Sequence, residues 1–79
     1  MTVLPLYASV QGDTMIVVVL GRLEATVRDL AENMLRATAI RVRRRATFRL
    51  MSGERSLDLD ASLAAEGLQP LERVDLIWD

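Results

Sequence analysis

An α+β fold, with one helix packed across one face of a mixed sheet of four or five strands, is predicted by three features of the chain. Two stretches near the N-terminus have the period of strands and are joined by turn residues. A single amphipathic stretch of helical period follows. The chain then closes on a turn, Ser62 to Pro70, that delivers an alternating strand over Val74 to Trp78. The element order is strand, strand, helix, strand, strand, turn, strand. If the helix is to cover the sheet, the first and last strands must be parallel neighbours. That is the β-grasp, or ubiquitin-like roll, and residues 1–79 are expected to form one such domain.

Val3 to Val10 places Leu4, Leu6, Ala8 and Val10 on one face and Val3, Pro5, Tyr7 and Ser9 on the other. Pro5 lacks a ladder donor, so its nitrogen is expected near the strand start or on a side without a partner. Gln11 to Thr14 is turn chemistry, with Gly12 free to take a positive φ, and Val3 to Leu20 therefore reads as a hairpin. The second strand, Met15 to Leu20, is apolar on both faces, whereas a β-grasp sheet has a helix on only one. Either Met15, Val17 and Val19 or Ile16, Val18 and Leu20 should remain outside with Val3 and Tyr7, forming an apolar patch of the kind that marks a binding surface. The candidate partner interface is accordingly Tyr7, Ile16, Val18 and Leu20, together with the basic residues Arg43, Arg44 and Arg45.

Gly21 to Ala25 is a connector. Thr26 is the expected N-cap, with Asp29 in the position of a capping-box acid. Val27, Leu30, Ala31, Met34 and Leu35 then recur at spacings of three and four, giving one apolar stripe to lie on the sheet, and the helix should end near Thr38. On its wet side Arg28 and Glu32, and Glu32 and Arg36, are spaced to pair for a few tenths of a kcal/mol.

Ile40 to Ala46 is a basic segment. If extended, it presents Arg41, Arg43 and Arg45 on one side, as a phosphate or carboxylate clamp; the plainer reading is a solvated connector. Thr47 to Met51, a Ser52-Gly53-Glu54 turn and Arg55 to Leu59 make a second hairpin, with Phe48 and Leu50 on one face and Leu57 and Leu59 sharing another.

Composition narrows the function. The chain has 79 residues, no cysteine, no histidine and no lysine, and 51% of it is apolar. The core must therefore supply the stability without a disulfide or an ordinary zinc site. The run Met15 to Leu20 is far shorter than the roughly 20 residues of a membrane span, nothing at the N-terminus resembles an export signal, and cytoplasm is the expected location. Net charge is −1, but six of the ten arginines fall between Arg36 and Arg49 while carboxylates load the C-terminal third. Near-neutral charge and the scarcity of aromatic residues beside the arginines argue against nucleic acid. Without His or Cys there is no ordinary base or thiolate, and Ser9, Ser52, Ser56 and Ser62 have no imidazole to activate them. Asp58 and Asp60, two apart on an expected strand, read as a solvated face rather than a cation site.

Leu4 to Ala8, Ile16 to Val19, the helix around Val27 to Glu32, and above all Leu63 to Trp78 also carry a family resemblance. In their order and spacing the chain resembles the small ubiquitin-like subunit, the B protein or γ subunit, of bacterial multicomponent di-iron monooxygenases that hydroxylate toluene and related aromatics. It departs from them between Met34 and Phe48, where those relatives generally carry a longer, polar connection. The resemblance implies a non-catalytic auxiliary subunit in a hetero-oligomer, clamped on the large di-iron hydroxylase subunit. Cofactors bound by this chain would then be none, the di-iron centre lying on the partner. Two alternatives share the fold: a conjugated or sulfur-donating ubiquitin-like protein, which needs a flexible Gly-Gly tail where this sequence has Ile77-Trp78-Asp79, and a stand-alone adaptor such as one associated with a bacterial secretion system. Nucleic-acid binding through Arg41 to Arg45 is a further, distant reading.

Overall fold

The computed structural model describes residues 2–79. The N-terminal hairpin consists of β1 (Val3–Val10) and β2 (Ile16–Arg22), turned at Gly12 with φ of 99°. β2 runs two residues past its expected end, because Gly21 and Arg22 still pair with Leu4 and Val3. Met15 is left out, its N–H taken by the Asp13 carboxylate at 3.1 Å.

The helix α1 (Val27–Thr38) starts as the sequence predicts. The Thr26 hydroxyl accepts from the Asp29 N–H at 3.1 Å and the Asp29 carboxylate accepts from the Thr26 N–H at 3.2 Å, a complete capping box. Its apolar stripe of Val27, Leu30, Ala31, Met34 and Leu35 is buried. The two expected i,i+4 ion pairs do not form. Arg28 reaches Asp60 at 3.0 Å, Arg36 donates to Asn33, and Glu32 is taken by Arg44 from outside the helix. Such pairs are weak enough for a tertiary partner to outcompete them.

The remaining strands are β3 (Phe48–Ser52), β4 (Arg55–Ser56) and β5 (Arg73–Trp78), and the sheet order is β2-β1-β5-β3-β4. β5 lies parallel to β1 in the centre, so the topology is the β-grasp derived above. The Pro5 carbonyl accepts from Leu71 at 2.7 Å, which puts its nitrogen on the same side, upstream of the first residue of β5, where no ladder donor is needed.

β4 is only two residues long, so Asp58 and Asp60 do not lie on a strand as expected. The chain instead turns through 59–60, where the Asp60 N–H donates to the Asp58 carboxylate. The segment that follows clasps the start of the helix. Val27 and Arg28 donate to the carbonyls of Ala61 and Leu59, while Leu63 and Ala64 donate to those of Ala25 and Leu23. These bonds satisfy orphan donors of the first helical turn and seat Leu63, which is fully buried, between helix and sheet.

The core lies on one side of the sheet. Leu4, Leu6, Ala8 and Val10 of β1, Val19 of β2, Leu50 of β3, and Val74, Leu76 and Trp78 of β5 all point towards α1 and are buried with its stripe. A buried leucine of this kind contributes roughly 2 kcal/mol. No side-chain polar atom among the described residues is buried without a partner.

Candidate protein interface

Strand alternation forces the opposite side of the sheet to carry the remaining residues, and in the β1–β2 half these are apolar. The register places Tyr7 opposite Val18, Pro5 opposite Leu20 and Ser9 opposite Ile16. Ile16, Val18 and Leu20 are 50%, 56% and 62% exposed, and Tyr7 is 42% exposed. Val19 is buried and Val17 is packed against the core, while the even-numbered residues of β2 face solvent. Val3 continues the patch along β1. No element among the described residues covers it.

Beyond β1 the same face becomes mixed. Tyr7 pairs with Arg73 and Ser9 with Asp75, and Arg73 Nε donates to the Asp75 carboxylate at 2.9 Å. Tyr7, Ile16 and Arg73 line a shallow depression of about 370 Å³, apolar on two sides with a guanidinium at its rim. Arg73 was not singled out from the sequence, although its parity with Asp75 places it on the outer face. Met51 and Ile77, half-buried, share that face.

The arginine segment is elsewhere. Residues 40–46 do not extend as a strand; Arg41 and Val42 both donate to the Thr38 carbonyl at 2.9 Å, winding the chain off the helix, and Val42 packs against the core. Alternation of Arg41, Arg43 and Arg45 on one side is therefore lost. Arg41 folds back onto Asp13, with Nε at 3.1 and 3.0 Å from the two carboxylate oxygens. Arg44 makes a two-pronged pair with Glu32 at 2.8 and 2.7 Å. Arg43 and Arg44 line a groove against Leu35 and Arg36 of the helix and Ala39 that caps it, whereas Arg43 and Arg45 border a second cleft at the end of β1 and β5. The structure therefore brings Tyr7, Ile16, Val18 and Leu20 together and leaves Arg43, Arg44 and Arg45 apart from them.

These ion pairs shift the carboxylates involved. The hydrogen bond from Arg41 holds the Asp13 carboxyl below its ordinary range, and that from Arg44 does the same for Glu32. Glu72 is lowered chiefly by the Ser52 hydroxyl, then by the Gln69 N–H. Each acid is committed to a structural partner. Among the described residues no group of three or more acidic side chains converges to hold a metal ion, and no helix is long and apolar enough to cross a membrane.

No family model matches the sequence, and no curated protein does. Solved structures do match. A chain of the toluene 4-monooxygenase HD complex with the inhibitor 4-bromobenzoate superposes with a TM-score of 0.89, covering 99% of this chain and 100% of that one at 21% identity. Ubiquitin from Caldiarchaeum subterraneum matches with a TM-score of 0.76 at 18% identity, covering 99% and 95%. A ubiquitin-like domain of an Arabidopsis thaliana protein matches with a TM-score of 0.74 at 11% identity, covering 99% and 79%. The fold is the ubiquitin-like β-grasp. Of these three the monooxygenase chain has the highest TM-score and the fullest mutual coverage.

Proposed function

We propose that this chain is a non-catalytic subunit of a multicomponent di-iron monooxygenase of the toluene type, docking on the large hydroxylase subunit through the open face of its sheet. The observation that carries the reading is the uncovered stripe of Ile16, Val18 and Leu20 beside Val3 and Tyr7. A contiguous apolar face of this extent on a small chain is costly in water and marks a surface that a partner covers. The end-to-end superposition on a chain of a toluene 4-monooxygenase complex supports the kind of partner. The residue inventory supports an auxiliary role: with no His or Cys, the chain has neither an ordinary general base nor a thiolate. Iron, oxygen and substrate would then be handled on the partner, in the cytoplasm, with residues 1–79 acting as one docking domain. Tyr7 and Arg73 would supply the specific part of the contact, a ring and a guanidinium at the depression between them, and the aliphatic stripe the bulk of the buried area.

The test is to recover the chain, tagged at its N-terminus, from the soluble fraction of its own cells and to identify and assay for iron whatever accompanies it in stoichiometric amount. A large partner with a di-iron centre is expected. An iron-free partner, or no partner, would overturn the oxygenase reading and leave the fold untouched.

A further inference from the structure

At the end of the sheet where β1 and β5 finish, Gln11, Gly12, Arg41, Val42, Arg43, Arg45 and Trp78 surround a cleft of about 330 Å³. Its walls are unusually well fixed for a surface feature. The Trp78 Nε1–H donates to the Gln11 carbonyl at 2.9 Å, and the Gln11 side-chain oxygen accepts from the Trp78 backbone N–H at 2.9 Å. The indole and the Phe48 ring also stand perpendicular, with ring centroids 6.3 Å apart. Arg41 is held by Asp13, whose side chain is only 2% exposed and takes both Nε and a terminal guanidinium nitrogen. A nearly buried acid that orients an arginine towards a cleft is a built feature, since the guanidinium retains further N–H groups for a second acceptor.

Arg43 and Arg45 complete the rim, and neither makes a hydrogen bond or ion pair with any described residue. The chain's own acids do not need them. Glu32 is bound by Arg44, Asp60 by Arg28, Glu66 by Arg55, Asp75 by Arg73 and Asp79 by Arg49. Two unneutralised guanidiniums and a third already oriented thus face one concavity in a molecule of net charge −1.

We propose that this cleft binds an acidic segment of a partner protein, taking carboxylates on the three guanidiniums and their aliphatic stems on Val42 and Trp78. The apolar floor favours carboxylates carried on methylene stems over a bare phosphate, which would leave Val42 and the indole uncovered. The floor offers too little aromatic surface for a base to stack on, since Trp78 is only 7% exposed. The site is independent of the open sheet face and of any identity for the partner that covers that face.

The experiment is a titration of the full chain with a hexaglutamate peptide, followed by backbone amide NMR and by the indole N–H of Trp78, the sole tryptophan. Saturable shifts at Gln11, Gly12, residues 41–45 and the indole are expected, with affinity falling on the order of tenfold in the double variant Arg43→Gln/Arg45→Gln. Both side chains are unpaired and their residues exposed, so the remaining resonances of the variant should stay in place. Absence of saturation, or equal affinity in the double variant, would overturn the proposal. So would tighter binding of pyrophosphate or of a short DNA duplex than of the peptide, which would assign the cleft to another anion. Val18→Asp should bind the peptide as the parent chain does; a loss there would place the peptide on the sheet face and refute the separate site.

Discussion

Gly21 lies where the end of β2 passes beneath the clasp segment, and a Cβ built on it would stand 2.6 Å from Leu63 Cδ1. Leu63 is fully buried, so its displaced methyl would have to be accommodated within the packed core. Gly21→Val is therefore expected to destabilise the chain by about 1–3 kcal/mol through overpacking, read as a lower midpoint in urea unfolding. An unchanged midpoint would mean that the clasp is looser than its hydrogen bonds suggest. Leu71 is the other residue whose backbone is dictated by its surroundings. Its φ of 64° is unusual for a branched side chain, and it is held there while its N–H donates to the Pro5 carbonyl. Neither residue advertises its role in sequence. Gly21 reads as a connector glycine and Leu71 as an ordinary apolar position, because the atoms that constrain them come from segments more than forty residues away.

At the level of elements, α1 is the part most completely specified locally. Its stripe and its capping box are set by residues within it or just before it. Thr26→Ala should cost about 1 kcal/mol of stability, since it strips the cap acceptor from the Asp29 N–H, and circular dichroism during thermal unfolding would measure it. β2 was harder to read. Its continuous apolar run fixes that one side must face outward, but which side depends on the register with β1, and a one-residue slip would exchange them. With Val19 buried and Val18 opposite Tyr7, the choice is made. Val18→Asp is expected to leave the unfolding midpoint within about 0.5 kcal/mol of the parent while weakening capture of the large partner. Val19→Asp, by contrast, should unfold the chain by burying an unpaired carboxylate. If both variants behaved alike in unfolding, the open face would be part of the core. The arginine segment is the converse case. Its alternation would make a clamp only if it were extended, but the backbone of residues 40–46 follows the helix end, as befits the plainer reading of a connector, and two of its arginines pair with acids distant in sequence, Asp13 twenty-eight residues away and Glu32 twelve.

Considered as a whole, the molecule distributes its charge so that most acids are satisfied internally, which has a consequence for pH. Asp13, Glu32 and Glu72 are all held below their ordinary values of 3.8, 4.5 and 4.5 in the folded chain. The unfolded chain therefore binds more protons in acid. Their stabilisation is complete above the ordinary carboxylate values and is lost as pH falls through the lowered folded ones. Stability measured by urea should be level near neutrality and decline below about pH 4.5, and the decline should be shallower in Asp13→Asn/Glu32→Gln than in the parent. An identical acid limb in both would show that the two ion pairs contribute nothing. High salt should act in the same direction by screening, chiefly on the exposed Glu32–Arg44 pair.

The alternating and helical periods, the turn residues at Gln11 to Thr14 and Ser52 to Glu54, and the order of the elements determined the β-grasp, because each is a property of neighbours along the chain and this arrangement buries the helix stripe against the inner faces of the strands. The same patterning determined that an apolar surface would be left over, since one helix covers only one side of a sheet whose second strand is apolar on both. What the tertiary structure decided is which residues form that surface, that Arg73 joins Tyr7 and Ile16 at its depression, and that Arg43 and Arg45 stand on a different side around Trp78. Those are matters of register and of long-range pairing. They follow from how β1, β2 and β5 align and from which acid lies within reach of which arginine, and no period or spacing in the chain encodes either.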